Sequence, residues 1–454
     1  MAAKILTSLR LFSLSDYLLI TGSGLLYCLI GYRIERESFA LLILTIAVLF
    51  IFFLLLYRSA KRNKGKVLGL ATAAVLFRLL FLCSEPRLSD DFKRYLWDGN
   101  LTVQGINPYL FKPSELPAES GKVLGDWRTL PLQKDYYSVY PPVPQAFFAA
   151  ASLLPGRSGR MIMLHLFTFL LELGSILLML RIFRQLRLPL PRSLLYILNP
   201  LPIIELSGNL HIEVFMIFFV LLAARYFYKK SFTAAGLALS ASILSKFIPL
   251  IFLPAFLGRP LLKKSKLLFL VSALFPLLLL LLLSGLSGTL NILSSLRLYF
   301  NTFEFNGSIY SLIRWAGFEI KGYNVIHEIS FYLGLSVALY LIFLSLRHLI
   351  RPFQNIFVFF TLALGGYLLL ATTVNPWYIA PLLAFGVFTR FLTPLVWSML
   401  VFLSYQAFQT ADFHLSTVTL ILEYGILTLA IIYDYLNKPH ESIPGKTNPA
   451  ASRH

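Results

Sequence analysis

The run Ser89-Asp90-Asp91-Phe92-Lys93-Arg94-Tyr95-Leu96-Trp97-Asp98 packs three carboxylates and two cations into ten residues. Its spacing predicts a short helix with Ser89 as N-cap and Asp90 and Asp91 in the first turn, where carboxylates complement the helix dipole. Asp91, Arg94, Tyr95 and Asp98 then stand at i, i+3, i+4 and i+7 and share one face. One reading is a capped surface helix with an Asp91–Arg94 ion pair of little energetic weight. The other starts from the repulsion between adjacent carboxylates, which suits them better to accepting a proton or holding a cation than to adding stability. A carboxylate beside a partly desolvated surface can carry a raised pKa, the property a general base needs.

Other residues with chemical potential lie along the chain. Gly105-x-Asn107-Pro108-Tyr109 and Val139-Tyr140-Pro141-Pro142-Val143-Pro144-Gln145 are turn-rich and aromatic, with flat faces suited to a sugar ring or a lipid headgroup. Glu205, His211 and Glu213 flank a turn at Gly208-Asn209. An acid inside a membrane segment costs ~2.5–3.5 kcal/mol, so these residues are either wet at an interface or functional. His211 is the one expected to face a site; with the two acids it could also form a metal cluster. Lys246, in Leu244-Ser-Lys-Phe-Ile-Pro-Leu250, either snorkels to the surface or reaches an anionic group. Trp377 and Tyr378 read as interfacial anchors, with stacking on a sugar as the alternative. No glycine-rich dinucleotide loop follows a strand and no P-loop occurs, so no nucleotide pocket is indicated.

These residues must be held by membrane helices. The chain has 454 residues, 57% hydrophobic and only 13% charged, where a soluble chain carries about 25% charged residues. Mean hydropathy is +0.73. Phe39–Tyr57 is 19 residues without a charge, about the ~20 that a helix needs to cross a ~30 Å hydrocarbon core. No barrel-like alternation occurs, which leaves an all-α polytopic fold. Spans are expected near 16–32, 38–57, 67–83, 160–182, 193–209, 212–228, 267–284, 329–346, 355–373, 376–391, 393–410 and 415–436. That makes about twelve, in one membrane domain over 1–437.

The net charge of +19 is divided among short loops, which excludes a nucleic-acid patch and reads as orientation signals. Loop 58–66, loop 183–192, the cluster Lys229, Lys230, Arg259, Lys263, Lys264 and Lys266, and Arg347, Arg351 and Arg390 all fall on one side if both termini are cytoplasmic. Loops 84–159 and 285–328 are then extracytoplasmic, and the former holds eight acidic and eight basic residues, with no positive bias. Segment 231–258 has basic residues at both ends and reads as a re-entrant helical hairpin. Leu298–Trp315 reads as a helix lying in the interface. Lys4 and Arg10 precede an apolar run without a clear cleavage site, so the first helix is read as retained. Cys28 and Cys83 are read as core residues, the sequons at Asn100 and Asn306 as chance, and 438–454 as a disordered cytoplasmic tail.

The string from Ser89 to Tyr109, followed by Tyr140-Pro-Pro-Val-Pro-Gln145, resembles the first extracytoplasmic loop of GT-C superfamily glycosyltransferases. It is most similar to bacterial polyprenyl-phosphate-mannose-dependent mannosyltransferases. Leu198–Phe215, Leu244–Leu250 and Asn375–Leu383 resemble further family segments, so the likeness runs from about 66 to 391. The resemblance implies a many-helix fold whose active site faces outward across a bacterial inner membrane. It implies a polyprenyl-phosphate sugar donor, a lipid or glycan acceptor, and inversion at the anomeric carbon. By motif position Asp90 or Asp91 is the general base, with Asp90 favoured and Asp91 assisting. Arg94, Tyr95, Asp98, Tyr140, Gln145, His211 and Lys246 are the candidates for holding the donor phosphate and sugar. No metal ligands are assigned, and a divalent cation is neither required nor excluded. The competing readings are a polyprenyl-linked glycan ligase or flippase, and a secondary transporter. A transporter should show internal repeats and midplane charges, and neither is evident.

Overall fold

The computed structural model of the chain describes residues 2–115, 136–257, 263–410 and 413–437. The middle of the first large loop, Arg259 of the basic clusters and the 438–454 tail lie outside them. The described residues form helices joined by turns and irregular loops, with no strand beyond an isolated bridge of Phe305 and Asn306 to Thr373.

Six helices are long and apolar enough to cross a membrane: Leu14–Tyr32, Phe39–Arg62, Gly156–Gln185, a segment within Lys263–Thr302, Ile326–Ile350 and Thr417–Asn437. Their outward faces carry bare apolar side chains such as Leu18, Phe331 and Ile421, each about two-thirds exposed, which only a lipid environment makes favourable. The chain is a membrane protein.

The expected twelve spans are not all full-length helices. Residues 67–83 form only Val67–Leu79, and 355–373 only Ile356–Leu370. Segments 376–391 and 393–410 break into Pro376–Tyr378, Ile379–Gly386, Thr393–Leu400 and Val401–Gln409. Proline supplies no backbone donor and clashes with the preceding turn, and prolines recur at 376, 381 and 394. The expected pair 193–209 and 212–228 becomes a chain of short pieces ending in a π-type turn, Ile203–Gly208, bent by 116° into Glu213–Tyr228. Counted as one broken span, that pair makes seven crossings among the described residues. Where the re-entrant hairpin is expected, two short apolar stretches, Phe232–Ile243 and Ile248–Leu257, flank Lys246.

The helix from Lys263 runs on to Thr302 across a break at Gly285, whose φ of 69° only glycine adopts readily. Much of the expected loop 285–328 is therefore helical. Ser308–Lys321 is a separate helix, with Trp315 64% exposed. Cys83 is exposed rather than a core residue, and Cys28 is half-buried.

Buried polar pairs tie the bundle together. Arg78 and Glu172, both with fully buried side chains, pair at 2.7 Å, and the Tyr196 hydroxyl donates to Glu172 at 2.8 Å. Arg78 also donates to the carbonyls of Ala74 and Ile197. Asp434 accepts from the backbone N–H groups of Leu392 and Thr393, holding the last helix against the start of Thr393–Leu400. Such contacts compensate polar groups that hydrocarbon cannot solvate.

Candidate functional site

The acidic run does open a helix, Asp91–Val103. Its start differs in detail from expectation. Asp90, not Ser89, occupies the N-cap position and its side chain makes no cap hydrogen bond. Ser89 Oγ instead accepts from the Asp91 N–H at 3.3 Å. The helix packs tightly on Pro142–Ser152: a methyl group added at Gly99 would come 2.3 Å from the Phe148 carbonyl oxygen. This close approach sets the polar face of the helix beside the Val139–Gln145 segment.

The two aspartates diverge. Asp90 is clamped between Arg36 at 2.7 Å and Lys93 at 2.5 Å. Partial burial works to raise its pKa, but the Lys93 hydrogen bond and the Arg36 charge outweigh it, holding the carboxyl below the usual carboxylate range. No lysine or arginine pairs with Asp91 among the described residues. Its side chain is 40% exposed, and one oxygen lies 3.6 Å from His211 Nδ1.

His211 is almost completely buried, and its other nitrogen, Nε2, lies 3.4 Å from a Glu205 oxygen. Both distances exceed those of an ordinary N–H···O bond, and neither ring nitrogen has a well-formed hydrogen bond. The ring stacks on the Trp377 indole, with centroids 3.6 Å apart and planes 15° from parallel. Glu205, 0% exposed, accepts from the Tyr405 hydroxyl at 2.9 Å and from Asn209 Nδ2 at 3.3 Å. The Leu88 N–H in turn donates to Asn209. The backbone that brings Glu205 and His211 together is unusual. A π-type turn precedes Leu210, which is held at φ 62°, a conformation costly for a leucine.

Behind Asp91, Asp98 is fully buried and saturated. Arg94 donates to it at 2.8 Å and Gln145 at 2.7 Å, and Ser138 donates to it as well. Arg94 also donates to the Tyr136 carbonyl at 3.1 Å. Two polar atoms of this cluster, Arg94 Nη2 and Gln145 Oε1, are buried without a hydrogen-bond partner among the described residues. Tyr95 stacks on Phe148 and meets Tyr140 edge-on. Tyr140 lies within electrostatic reach of Asp91, Asp98, Arg94 and Glu213. Lys246 pairs with the buried Glu213 and lies 4.1 Å from the centre of the Tyr378 ring. Glu213 keeps one oxygen without a partner among the described residues.

Asp90, Asp91, Arg94, Tyr95, Asp98, Tyr140, Gln145, His211 and Lys246 thus belong to one neighbourhood. Asp98 and Gln145 form its supporting layer rather than an open surface. Trp377 and Tyr378 are both half-buried: one stacks on His211 and the other faces Lys246. Among the described residues no three of His, Cys, Asp and Glu are spaced to hold a metal ion. The three-residue cluster of Glu205, His211 and Glu213 does not form, because Glu213 turns to Lys246. Arg36 and Tyr405 were missed in the sequence. Each is remote in the chain from the residue it contacts, and neither sits in a recognisable local pattern.

This arrangement offers a half-exposed carboxylate beside a buried imidazole, with a lysine, a partnerless guanidinium nitrogen and aromatic faces around it. Residues 20–259, more than half of the chain, match a family model described as alpha-(1->6)-mannopyranosyltransferase, N-terminal domain. Asp91, Arg94, His211 and Lys246 fall within the match, and Trp377 and Tyr405 beyond it. No curated protein matches the chain.

Proposed function

Because this chain belongs to the alpha-(1->6)-mannopyranosyltransferase family, we propose that it moves mannose from a polyprenyl-phosphate donor to an acceptor hydroxyl at the extracytoplasmic membrane face. Family membership favours transfer over the transporter and flippase readings. A polyprenyl donor suits a membrane protein whose sequence has no nucleotide-binding loop. The outward orientation rests on the clustering of lysine and arginine in loops away from the acidic run. A bacterial inner membrane follows from the same resemblance.

The reaction is a single displacement. The acceptor oxygen attacks the anomeric carbon as its proton passes to a carboxylate, and the bond from that carbon to the phosphate oxygen breaks on the opposite face. Configuration inverts, so an alpha product requires a beta-linked donor. Asp91 is the base, which reverses the preference for Asp90 drawn from the sequence. The observation that carries this choice is the difference in partners. Asp90 is clamped by Arg36 and Lys93, whereas Asp91, with its side chain 40% exposed, faces His211 and no lysine or arginine among the described residues. Lys246 and the free Arg94 Nη2 receive the charge that develops on the leaving phosphate. Tyr140 and Tyr95 shape the sugar side, and Asp98 and Gln145 orient Arg94.

The test is transfer of labelled mannose from polyprenyl-phosphate mannose in membranes bearing the chain. Asp91→Asn is expected to lower kcat by about 100-fold or more, the scale of a lost general base, with expression unchanged. Undiminished transfer in Asp91→Asn would remove the assignment. Labelled solute uptake that persists in that variant, without transfer, would replace the reading by transport.

A further inference from the structure

A second concave site lies at the opposite end of the helices from Asp91. It is a cleft of about 200 Å³ whose wall includes Leu195, Leu383, Val387, Leu395, Arg390 and Tyr433. We propose that it binds an anionic glycerophospholipid, with the phosphate on Arg390 and Arg192 and an acyl chain along the apolar wall. No residue of the cleft takes part in the proposed transfer, so the two readings are independent.

Two helices fix where the cleft lies. Phe39–Arg62 starts just after Arg36, which pairs with Asp90, and brings Tyr57 within electrostatic reach of Arg192. From Phe39 to Tyr57 a helix rises ~27 Å. Gly156–Gln185 starts at the Arg157–Glu85 pair and leads into Leu190–Ser193, which carries Arg192. Both helices therefore run from the acidic end of the bundle to the cleft, across about one hydrocarbon thickness. On the orientation proposed above, that end is cytoplasmic. The outer side of the cleft faces the membrane: Tyr433 and Leu436, one turn apart on the last helix, are 55% and 71% exposed.

The cleft holds positive charge that the protein leaves unneutralised. Arg390 is exposed and Arg192 half-buried, and the two lie close enough to repel one another. Neither makes an ion pair among the described residues, and Arg192 Nε is buried without a hydrogen-bond partner among them. Asp434, an acid within electrostatic reach of Arg192, has its oxygens engaged by the Leu392 and Thr393 N–H groups and the Thr393 hydroxyl. A buried nitrogen left in this way calls for an acceptor from outside the chain, and the guanidinium fork matches the oxygens of a phosphate. A soluble anion would satisfy the arginines but leave the half-buried Leu195 and Leu395 uncovered; a lipid covers both. No carboxylate lines the cleft to meet a choline ammonium, which favours a net negative headgroup over a zwitterionic one. Basic pockets between membrane helices hold anionic headgroups in this manner.

The experiment measures the Tm of the purified full chain in a neutral detergent, titrated with phosphatidylglycerol, phosphatidylcholine or inorganic phosphate. A ligand that binds only the folded protein raises Tm with its concentration. Phosphatidylglycerol is expected to raise Tm saturably, phosphatidylcholine to raise it much less at the same concentration, and phosphate to leave it unchanged. Arg390→Gln is expected to increase the phosphatidylglycerol concentration for half the shift by about tenfold or more, the scale of a lost hydrogen bond to a charged group. Arg351→Gln, which removes an exposed cation from another basic turn, is expected to leave that concentration unchanged. Leu395→Trp fills the cleft without altering its charge and is expected to remove the saturable shift; it carries the test where Arg390→Gln does not fold. A wild-type response in Arg390→Gln or in Leu395→Trp overturns the proposal. So does an equal loss in Arg351→Gln, the mark of diffuse attraction to a basic surface. A phosphatidylcholine shift that matches the phosphatidylglycerol shift, or a shift with phosphate alone, overturns the anionic lipid as occupant. Mannosyl transfer in Asp91→Asn tests the proposed function separately and has no bearing on these shifts.

Discussion

The Trp377 indole lies flat on the His211 imidazole, 3.6 Å from centroid to centroid. Trp377 lies outside the part of the chain that matches the mannosyltransferase N-terminal domain, and His211 lies inside it. The later half of the chain therefore contributes a ring to the candidate site formed in the first half. A stacked aromatic pair is worth ~0.5–1.5 kcal/mol. Trp377→Ala is expected to lower kcat for mannosyl transfer by about 3- to 10-fold, and Trp377→Phe to retain most of the rate. An unchanged rate in Trp377→Ala would show that the ring needs no cover.

Lys246 is proposed to meet the donor phosphate, and Glu213 and Tyr378 hold it in place. A hydrogen bond to a charged group contributes ~1.5–3 kcal/mol. Lys246→Gln is therefore expected to raise KM for the polyprenyl-phosphate donor by about 10- to 150-fold, more than it changes KM for the acceptor. Equal effects on both substrates would assign Lys246 to the scaffold.

Asp90 offers a pH prediction. Its folded-state pKa is depressed below the ordinary value of 3.8. The stabilisation from its ion pairs is thus fully present above that value and is lost as pH falls through the depressed one. Thermal unfolding of the purified protein should show Asp90→Asn less stable than wild type at pH 6 to 7, with the gap closing as the pH falls below the ordinary value of 3.8. Asp90→Asn should also keep mannosyl transfer within about tenfold of wild type, far above Asp91→Asn. A loss in Asp90→Asn as deep as that in Asp91→Asn would restore Asp90 as the base.

Gly99 is the point of closest approach between Asp91–Val103 and Pro142–Ser152. Two of the obstructing atoms belong to the backbone of Phe148, which cannot swing aside, and the third is Ser152 Oγ. Gly99→Ala is expected to destabilise by ~1–3 kcal/mol, the range of overpacked sites, and to lower transfer by moving Asp91 and Arg94 relative to Tyr140. A melting curve and transfer rate identical to wild type would show that the two helices separate at no cost.

Much of this protein is legible along the chain. Long uncharged runs dictate membrane helices, because a backbone in hydrocarbon must satisfy its own hydrogen bonds. The acidic run after the third apolar segment stands out as a candidate site, because so many ionisable groups are out of place beside such segments. Asp91–Val103 lies where the spacing puts it, and its face does hold Arg94, Tyr95 and Asp98 together. The proline-bearing segments were harder to read. Hydropathy sees composition and not backbone donors, so 193–209 and 376–391 looked like spans although prolines break them.

The roles within the site depend on contacts between distant parts of the chain. Asp90 and Asp91 are identical neighbours on paper; Arg36, brought in from the first interhelical turn, neutralises one and leaves the other facing His211. Glu205 becomes a partner of that histidine because a π-type turn and a left-handed leucine fold the chain back on itself, and Tyr405 reaches it from the far end of the sequence. Local periodicity sets which residues share a helix face. It carries no information about which charge arrives opposite that face, since this is settled by the packing of helices hundreds of residues apart.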